Sequence, residues 1–260
     1  MRIAVLGSGS RGNALVVESE GRLLLVDAGF SCKQLEKRLA SLGVEAADLA
    51  AVLVTHEHGD HIRGVDVLAR RYGLPVYATE GTLEACRGLR DEVREGACII
   101  ASGRPFHVAD FEVEPFAVPH DAREPVGLVI QSADGHRLGL AADLGSRSRL
   151  AWGRLTDLDI LVIETNHDLE MLRNGPYPWS LKQRVAGRHG HLSNRDAADG
   201  LPELINDRLR WVVLYHLSQT NNLPALAASE VGETLAREGA PAQVAMTEQD
   251  RPTSWLEVSP

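Results

Sequence analysis

AVLVTHEHGDHIRGVDVL, residues 51–68, is the stretch that decides the fold and chemistry predicted for this chain. The apolar, β-branched run at 51–55 predicts a buried strand, and the apolar spacing over 62–72 predicts a helix. Between them stands HEHGDH, with four potential ligands: His56, His58, Asp60 and His61. Imidazole nitrogens and carboxylate oxygens are the groups that zinc and related divalent metals prefer. A solvated surface loop is the weaker alternative, so the stretch predicts a metal site.

The composition predicts a folded chain. Hydrophobic residues make up 44% of the 260 positions and charged residues 24%. The apolar run at 2–6 is too short for a signal-peptide core or a bilayer span, so we expect no membrane association. Three cysteines without a CxxC pair indicate reduced thiols and a cytoplasmic location. The formal net charge of -9 argues against binding of nucleic acid by bulk electrostatics, although basic residues predominate within 168–191.

Strand and helix signals alternate along the chain, and we expect a single domain over residues 1–260. Strands are predicted at 2–6, 14–18, 22–26, 51–55, 75–78, 159–164 and 211–215, with a strand-rich region over 98–142. Helices are predicted at 31–42, 62–72 and 81–89 and from Asn194 onward, after a long loop that follows 159–164. This order predicts an α/β fold in which two mixed sheets pack face to face inside a layer of helices.

A glycine-rich motif, GSGSRG at 7–12, follows the first predicted strand and fits the dinucleotide-binding pattern GxGxxG. That pattern must open a helix whose N-terminus holds the pyrophosphate. The residues after Gly12 alternate as in a strand and turn at Glu20-Gly21 into the next one. The sequence therefore argues against a nucleotide cofactor and predicts a loop that passes close to a ligand or metal.

Further ligands are predicted where other strands end. His120 follows an apolar segment, Asp143 ends the run 138–142, and His216 ends the strand 211–215. Functional side chains gather at such strand ends in layered α/β folds. Each residue alone is also typical of a hydrogen-bonded loop, but together with the cluster at 56–61 they predict a shared metal centre.

These residues and several longer motifs resemble the metallo-β-lactamase-fold hydrolases, most closely the YycJ (WalJ) family. The motifs are LGSGSRGN at 6–13, LVDAGFS at 25–31, THEHGDH at 55–61, PHDAREP at 119–125, ETNHDLEMLRNGPYPWSLKQR at 164–184, GHLSN at 190–194 and HLSQTNN at 216–222. The resemblance runs from the first strand to about residue 235, and no motif is present in 236–260. It implies the metallo-β-lactamase αββα sandwich.

The resemblance also implies two divalent metal ions per chain, which are manganese or zinc, or else iron. One ion is held by His56, His58 and His120, the second by Asp60, His61 and His216, and Asp143 bridges them. A hydroxide shared by the two ions is the expected nucleophile. The flavodiiron oxidoreductases of this fold carry Glu where His58 stands, so the pattern favours hydrolysis.

Roles in catalysis follow from the same resemblance. His191 is similar to the proton-donor histidine of phosphodiesterases of this fold, with an ordinary loop histidine as the alternative. Glu164 is placed like the carboxylate that orients that histidine and raises its pKa. Asp60 is expected to take part in catalysis as a ligand. We expect Asp27 to orient a loop or a ligand rather than bind metal, and His167 receives no role.

Two groups of residues are candidates for substrate binding. Ser8, Ser10 and Asn13, with the glycine amides between them, could bind a phosphate oxygen, although the same composition describes any tight turn. Arg184 and Arg188 lie in a basic stretch with Tyr177 and Trp179, a mixture that suits a nucleic-acid backbone and its bases. The alternative is a simple surface loop with Trp179 packed inward.

Three functions remain open from the sequence. The resemblance implies a metal-dependent 5′-to-3′ exonuclease that acts on double-stranded DNA ends and prefers a 5′-phosphate. The alternative is a hydrolase of the same fold that acts on a small thioester, lactone or cyclic phosphodiester, which the acidic composition favours. A binding protein without activity is opposed by the complete set of predicted ligands.

Overall fold

Two seven-stranded sheets, stacked face to face, form the centre of the protein. The structure is a computed structural model and describes residues 1–258. The first sheet contains β1 (Arg2–Gly7), β2 (Ala14–Ser19), β3 (Arg22–Val26), β4 (Leu49–Leu53), β5 (Val76–Thr79), β6 (Cys98–Ile100) and β14 (Leu256–Glu257). The second contains β7 (Phe106–Val108), β8 (Phe111–Ala117), β9 (Val126–Ser132), β10 (Arg137–Ala141), β11 (Ile160–Glu164), β12 (Trp211–Tyr215) and β13 (Gln243–Met246).

Both sheets change from antiparallel to parallel pairing. The first has the order β14-β1-β2-β3-β4-β5-β6, with antiparallel pairing as far as β3 and parallel pairing beyond it. The second has the order β13-β12-β11-β10-β9-β8-β7 and is parallel from β10 to β13. Strands β8 and β10 run in the same direction because both are antiparallel to β9. The carboxyl ends of β8, β10, β11 and β12 therefore lie at one edge.

Ten α-helices cover the outer faces of the sheets within residues 1–258. They are α1 (Cys32–Ala40), α2 (Gly59–Ile62), α3 (Val65–Tyr72), α4 (Glu80–Ala85), α5 (Asp91–Glu95), α6 (Arg149–Trp152), α7 (Leu169–Asn174), α8 (Trp179–Val185), α9 (Asn194–Gly200) and α10 (Pro224–Arg237). Short 3₁₀ helices lie at Ala46–Asp48 and Leu201–Glu203. None of the helices in the described part of the chain is long and apolar enough to cross a membrane.

The hydrophobic core has three layers. Alternate side chains of the strands, among them Val5, Leu24 and Val162, meet between the sheets. The opposite faces pack against helices, with Leu35 of α1 on one side and Val231 of α10 on the other. This arrangement confirms the predicted αββα sandwich. The single domain predicted over 1–260 stays a prediction, and its last two residues lie outside the described range.

Two predictions of secondary structure need correction. The helix predicted at 62–72 is present as α3 but begins only at Val65, because the amide of Gly64 donates to the carbonyl of Ala28 at 2.7 Å and separates α3 from the short helix α2. The segment after β11, predicted as a long loop, contains α7 and α8. Asp168 begins α7 by accepting a hydrogen bond from the amide of Met171, and Pro178 precedes α8. As predicted, a strand rather than a helix follows Gly12.

Candidate metal centre

All seven predicted ligands lie at the shared edge of the two sheets. Their loops follow β4, β8, β10 and β12, and they bring together His56, His58, Asp60, His61, His120, Asp143 and His216. The parallel strands deliver these side chains to one place because their carboxyl ends coincide.

A first group consists of His56, His58, His120 and Asp143, whose potential ligand atoms all lie within 4.8 Å of one another. The distance from His56 Nε2 to Asp143 Oδ2 is 3.1 Å, and that from His120 Nε2 to His58 Nδ1 is 3.2 Å. His58 is partly exposed, whereas the other three are buried. This group has the nitrogen and oxygen donors of a divalent metal site.

A second group consists of Asp60, His61 and His216, again within 4.8 Å. Asp60 Oδ2 lies 3.4 Å from His216 Nε2 and 3.6 Å from His61 Nε2. Asp143 joins the two groups, because the oxygen that faces His56 also lies 2.9 Å from His61 Nε2. Asp143 therefore has the location that a bridging carboxylate requires.

Glu164 lies beneath these groups and is completely buried. Its Oε1 accepts hydrogen bonds from His191 Nδ1 and His216 Nδ1, each at 2.8 Å. Its Oε2 accepts from the amides of Leu144 and Leu192, at 2.8 and 2.9 Å. A carboxylate has about four lone-pair sites, so all of them are used. Although Glu164 lies close enough to be a ligand, this geometry makes it a holder of the two imidazoles.

The ion pair between Glu164 and His191 changes the pKa of both groups. Burial raises the pKa of Glu164, but the charge and hydrogen bond of His191 outweigh it and lower the pKa. Burial lowers the pKa of His191, but the charge of Glu164 outweighs it and raises the pKa. His191 thus keeps its proton toward neutral pH. Since Nδ1 is held by Glu164, Nε2 is the ring nitrogen left for a group in the cleft.

The buried histidines are anchored through one ring nitrogen each. His61 Nδ1 donates to Asp27 Oδ2 at 2.7 Å, and His120 Nδ1 donates to the carbonyl of Gly190 at 3.0 Å. Asp27 also accepts from the amide and hydroxyl of Thr55, both at 2.8 Å. Such bonds fix the ring orientation and aim the other nitrogen at the cluster. Sequence reasoning missed Thr55, whose hydroxyl next to His56 at the end of a strand was the available signal.

Two buried ring nitrogens provide further evidence that these residues fit divalent metal ions. His56 Nε2 and His216 Nε2 are buried, yet neither has a hydrogen-bond partner among residues 1–258. Buried polar atoms are rarely left without a partner, because the loss of hydration costs about 1–3 kcal/mol for each. Both atoms face carboxylate oxygens across the cluster. Metal ions bound between them would satisfy both.

Three residues of the site adopt a left-handed backbone conformation. The φ angles are 59° for Asp27, 49° for Asp143 and 57° for His216. A residue other than glycine in this region costs on the order of 1 kcal/mol or more and persists where the surroundings enforce it. Each of the three follows a strand, so this conformation turns its side chain sharply into the cluster.

The β1–β2 loop mainly supports the predicted ligands, and part of it lines the cleft. Ser8 is buried, accepts a hydrogen bond from the amide of His216 at 2.7 Å and donates to Asn13 Oδ1 at 3.1 Å. Asn13 Nδ2 lies 3.1 Å from His61 Nε2 and 3.2 Å from Asp60 Oδ2. Of the three predicted phosphate contacts, Ser10 is exposed and lines the cleft. Ser8 and Asn13 are instead committed to protein partners.

A close backbone contact holds the segment after β3 against the metal motif. A Cβ atom on Gly29 would lie 1.7 Å from the carbonyl oxygen of Asp60. That same carbonyl accepts a hydrogen bond from the amide of Asn13 at 2.8 Å. Only glycine leaves room for this approach. The glycine of the LVDAGFS motif therefore fixes the position of Asp60.

The cleft above the cluster has a volume of about 220 Å³. Helix α8 forms one wall with Leu181, Arg184 and Val185, and His191 lies beside it. Trp179 begins this helix and is 70% exposed, which contradicts the alternative that it packs inward. Arg188 is exposed and follows α8 outside the residues that line the cleft.

His167 is buried near the centre. Burial lowers its pKa to about 4, so it is neutral at neutral pH. Its backbone pairs with Ser193 at the start of α9 and holds the loop that carries His191. Neither of its ring nitrogens has a hydrogen-bond partner within residues 1–258.

Comparisons with known proteins agree with this geometry. Residues 22–216 match the Beta-lactamase superfamily domain. The chain is 40% identical over 240 residues to Exodeoxyribonuclease YycJ of Bacillus anthracis, covering 92% of this chain and 90% of that protein. It is 39% identical to Exodeoxyribonuclease WalJ of Streptococcus pneumoniae, covering 91% and 88%.

The fold has solved counterparts. The metallo-β-lactamase fold protein YhfI from Bacillus subtilis superimposes with a TM-score of 0.75 over 97% of this chain and 99% of that chain, at 17% identity. The match extends through both sheets, so the architecture is that of a metallo-β-lactamase. The sequence match covers the cluster, Glu164 and His191. The chain is a hydrolase of the metallo-β-lactamase superfamily and belongs to the family of YycJ and WalJ.

Proposed function

We propose that this protein is an exodeoxyribonuclease that hydrolyses double-stranded DNA from its ends, in the 5′-to-3′ direction, with a preference for a 5′-phosphate. The observation that carries the proposal is the His191–Glu164 pair next to the His/Asp cluster in an open cleft. Cleavage of a phosphodiester requires an activated water and a proton for the leaving oxygen, and these two features supply both. The names of the two relatives support DNA as the substrate.

The metal centre is proposed to hold two divalent ions, manganese or zinc, or else iron. His56, His58 and His120 would bind one, Asp60, His61 and His216 the other, and Asp143 both. Bound there, such ions supply an activated water and stabilise negative charge on the phosphate oxygens. The mixed nitrogen and oxygen donors accommodate all three metals.

His191 is proposed as the proton donor. Its raised pKa keeps the ring protonated toward neutral pH, and Glu164 fixes its orientation through Nδ1. A protonated Nε2 can then transfer its proton to the oxygen that leaves the phosphate. Glu164 also holds His216, so the donor and one ligand share a single support.

Both sheets contribute to the site, which supports a single functional domain over 1–260. The loop after β4 belongs to the first sheet, and the loops after β8, β10 and β12 belong to the second. Neither half could assemble the cluster alone. A DNA substrate and the free cysteines Cys32, Cys86 and Cys98 support a cytoplasmic location.

A nuclease panel tests the proposal. The purified protein, supplied with manganese or zinc, is incubated with duplex DNA bearing a 5′-phosphate or a 5′-hydroxyl, with single strands and with RNA. We expect mononucleotides to be released fastest from the 5′-phosphorylated duplex, beginning at the 5′ end. Asp143→Asn should be inactive, and equal activity would point to a contaminating nuclease. Hydrolysis of a small thioester, lactone or cyclic phosphodiester without DNA cleavage would favour the alternative.

A further inference from the structure

The cleft contains an unexpected balance of charge. Among residues 1–258, three aspartates line it, and Arg184 is the one lysine or arginine that does so. Metal ions offset the charge of Asp60 and Asp143 if these bind as proposed. The third aspartate, Asp121, lies at the rim and has Arg184 as its partner.

Asp121 stands between the arginine and the cluster. Its Oδ2 accepts a hydrogen bond from Arg184 Nε at 2.6 Å and lies 2.6 Å from Nη2 of the same guanidinium. Its Oδ1 lies 3.4 Å from His120 Nε2 and 3.9 Å from His58 Nε2. The arginine side chain is 64% exposed and the aspartate side chain 31% exposed. Such a partly exposed pair contributes only about 0–1 kcal/mol, so a competing anion can separate it.

The location of Arg184 links it to the proton donor. Helix α8 carries Arg184 one turn after Leu181, and both face the cleft. None of the seven side chains of α8 is buried within the described chain. Directly after it, the amide of His191 donates to the carbonyl of Val185 at 2.8 Å. Arg184 and His191 therefore line the same cleft, so an anion bound by Arg184 shares the cleft with His191.

We propose that Arg184 recognises a phosphate of the nucleic-acid substrate, and that Asp121 holds the arginine in the cleft until the phosphate replaces it. This inference rests on the proposed function. A guanidinium presents the same fork of donors to a carboxylate and to a phosphate, so one can be exchanged for the other. A diester phosphate presents two charged oxygens, as the carboxylate of Asp121 does, and a terminal 5′-phosphate presents three. Asp121 thus weakens the binding of phosphate, because its ion pair with Arg184 must be broken first.

If Arg184 exchanges Asp121 for a phosphate, the effects of substituting the two residues on DNA binding should depend on each other. Asp121→Asn removes the competing charge, and we expect a phosphorylated duplex to bind about threefold to tenfold more tightly. Arg184→Ala should weaken binding about tenfold or more. In Arg184→Ala, the further change Asp121→Asn should alter binding by less than about twofold, since no arginine remains to be released.

The test measures binding and metal content together. The four proteins (the wild type, both single variants and the double variant) are purified with their metals. They are titrated against a fluorescent 5′-phosphorylated duplex whose linkages are phosphorothioates, and anisotropy reports the Kd at several salt concentrations. The matched control is Asp199→Asn, which removes the same charge from an exposed pair with Arg195 away from the cleft. It should leave the Kd within about twofold of the wild type.

Each outcome either supports or overturns the proposed exchange of Asp121 for a phosphate on Arg184. Tightening by Asp121→Asn that requires Arg184, with unchanged metal content, supports the exchange. Equal tightening with and without Arg184 would show that Asp121 merely repels the phosphate, and loss of metal in Asp121→Asn would make it a ligand. Either result overturns the inference. If the wild type binds and degrades no DNA, the proposed function fails; if it degrades DNA but the coupling is absent, only this inference fails.

Discussion

Replacement of Glu164 with glutamine tests the support shared by His191 and His216. Glu164 accepts two hydrogen bonds from imidazoles and two from the backbone amides of Leu144 and Leu192. A glutamine oxygen can serve only one of these pairs. If it accepts from the amides, its NH₂ group faces two Nδ1 donors. The imidazoles must then move their protons to Nε2, which prevents His216 from offering that nitrogen to a metal.

The magnitude follows from these contacts. A hydrogen bond to a charged group contributes about 1.5–3 kcal/mol, and a buried donor left without a partner costs about 1–3 kcal/mol. Because relaxation and the tautomer change recover part of the loss, we expect the free energy of unfolding to fall by about 2–4 kcal/mol. Loss of the carboxylate also lowers the pKa of His191, so the rate should fall on the order of 10²-fold.

The pH dependence of the effect has a definite sign. Glu164 has a lowered pKa, so its contribution to stability is present above its unfolded pKa and is lost as the pH falls through the folded value. His191 has a raised pKa, so its contribution is present below its unfolded pKa and is lost as the pH rises through the folded value. The destabilisation should therefore be greatest between the two unfolded pKa values and should disappear as the pH passes beyond either folded value. The alkaline limb of kcat/KM should move to lower pH in Glu164→Gln.

Urea unfolding followed by circular dichroism measures the free energy of unfolding. A pH–rate profile on the 5′-phosphorylated duplex measures the rate and the alkaline limb of kcat/KM. Glu164→Asp is the matched control, because it keeps the charge and shortens the reach. Glu164→Asp should lose less of the free energy of unfolding than Glu164→Gln does. The alkaline limb of its kcat/KM should lie at the same pH as in the wild type. An unchanged limb and unchanged stability in Glu164→Gln would refute the role assigned to this carboxylate.

Three other changes test separate parts of the site. His191→Ala should keep its metal but slow cleavage by about 10²–10⁴-fold; metal loss on elemental analysis would instead make His191 a ligand. Asp27→Asn should weaken metal affinity about 10–100-fold, because His61 loses a charged acceptor, and unchanged affinity in a chelator titration would contradict this. Gly29→Ala should lose metal and stability, since its Cβ would lie 1.7 Å from a backbone oxygen; a wild-type melting temperature would count against the close contact.

The clustering of these histidine and aspartate side chains could be predicted from the sequence because they lie at strand ends. Strand periodicity shows where each strand stops, and parallel strands of one sheet stop at the same edge. His120, Asp143 and His216 could therefore be placed with the cluster at 56–61 although they are far apart in the chain. The two-sheet architecture followed in the same way, from strands that alternate with amphipathic helices.

The supporting contacts could not be predicted, because they depend on distances between loops. Ser8 has the composition of a phosphate-binding turn, yet it is buried against His216. The backbone strain at Asp143 leaves no trace in the sequence. The pair between Asp121 and Arg184 joins residues 63 positions apart. Helix α8 was missed because none of its side chains is fully buried and the segment gives no clear apolar periodicity.

Anomalous diffraction from crystals of the purified protein, recorded at the absorption edges of manganese, zinc and iron, is the most direct measurement. It locates bound metals without reference to activity. We predict two peaks per chain, one among His56, His58 and His120 and one among Asp60, His61 and His216, with Asp143 in contact with both. Peaks elsewhere, or none after growth with all three metals, would contradict the account.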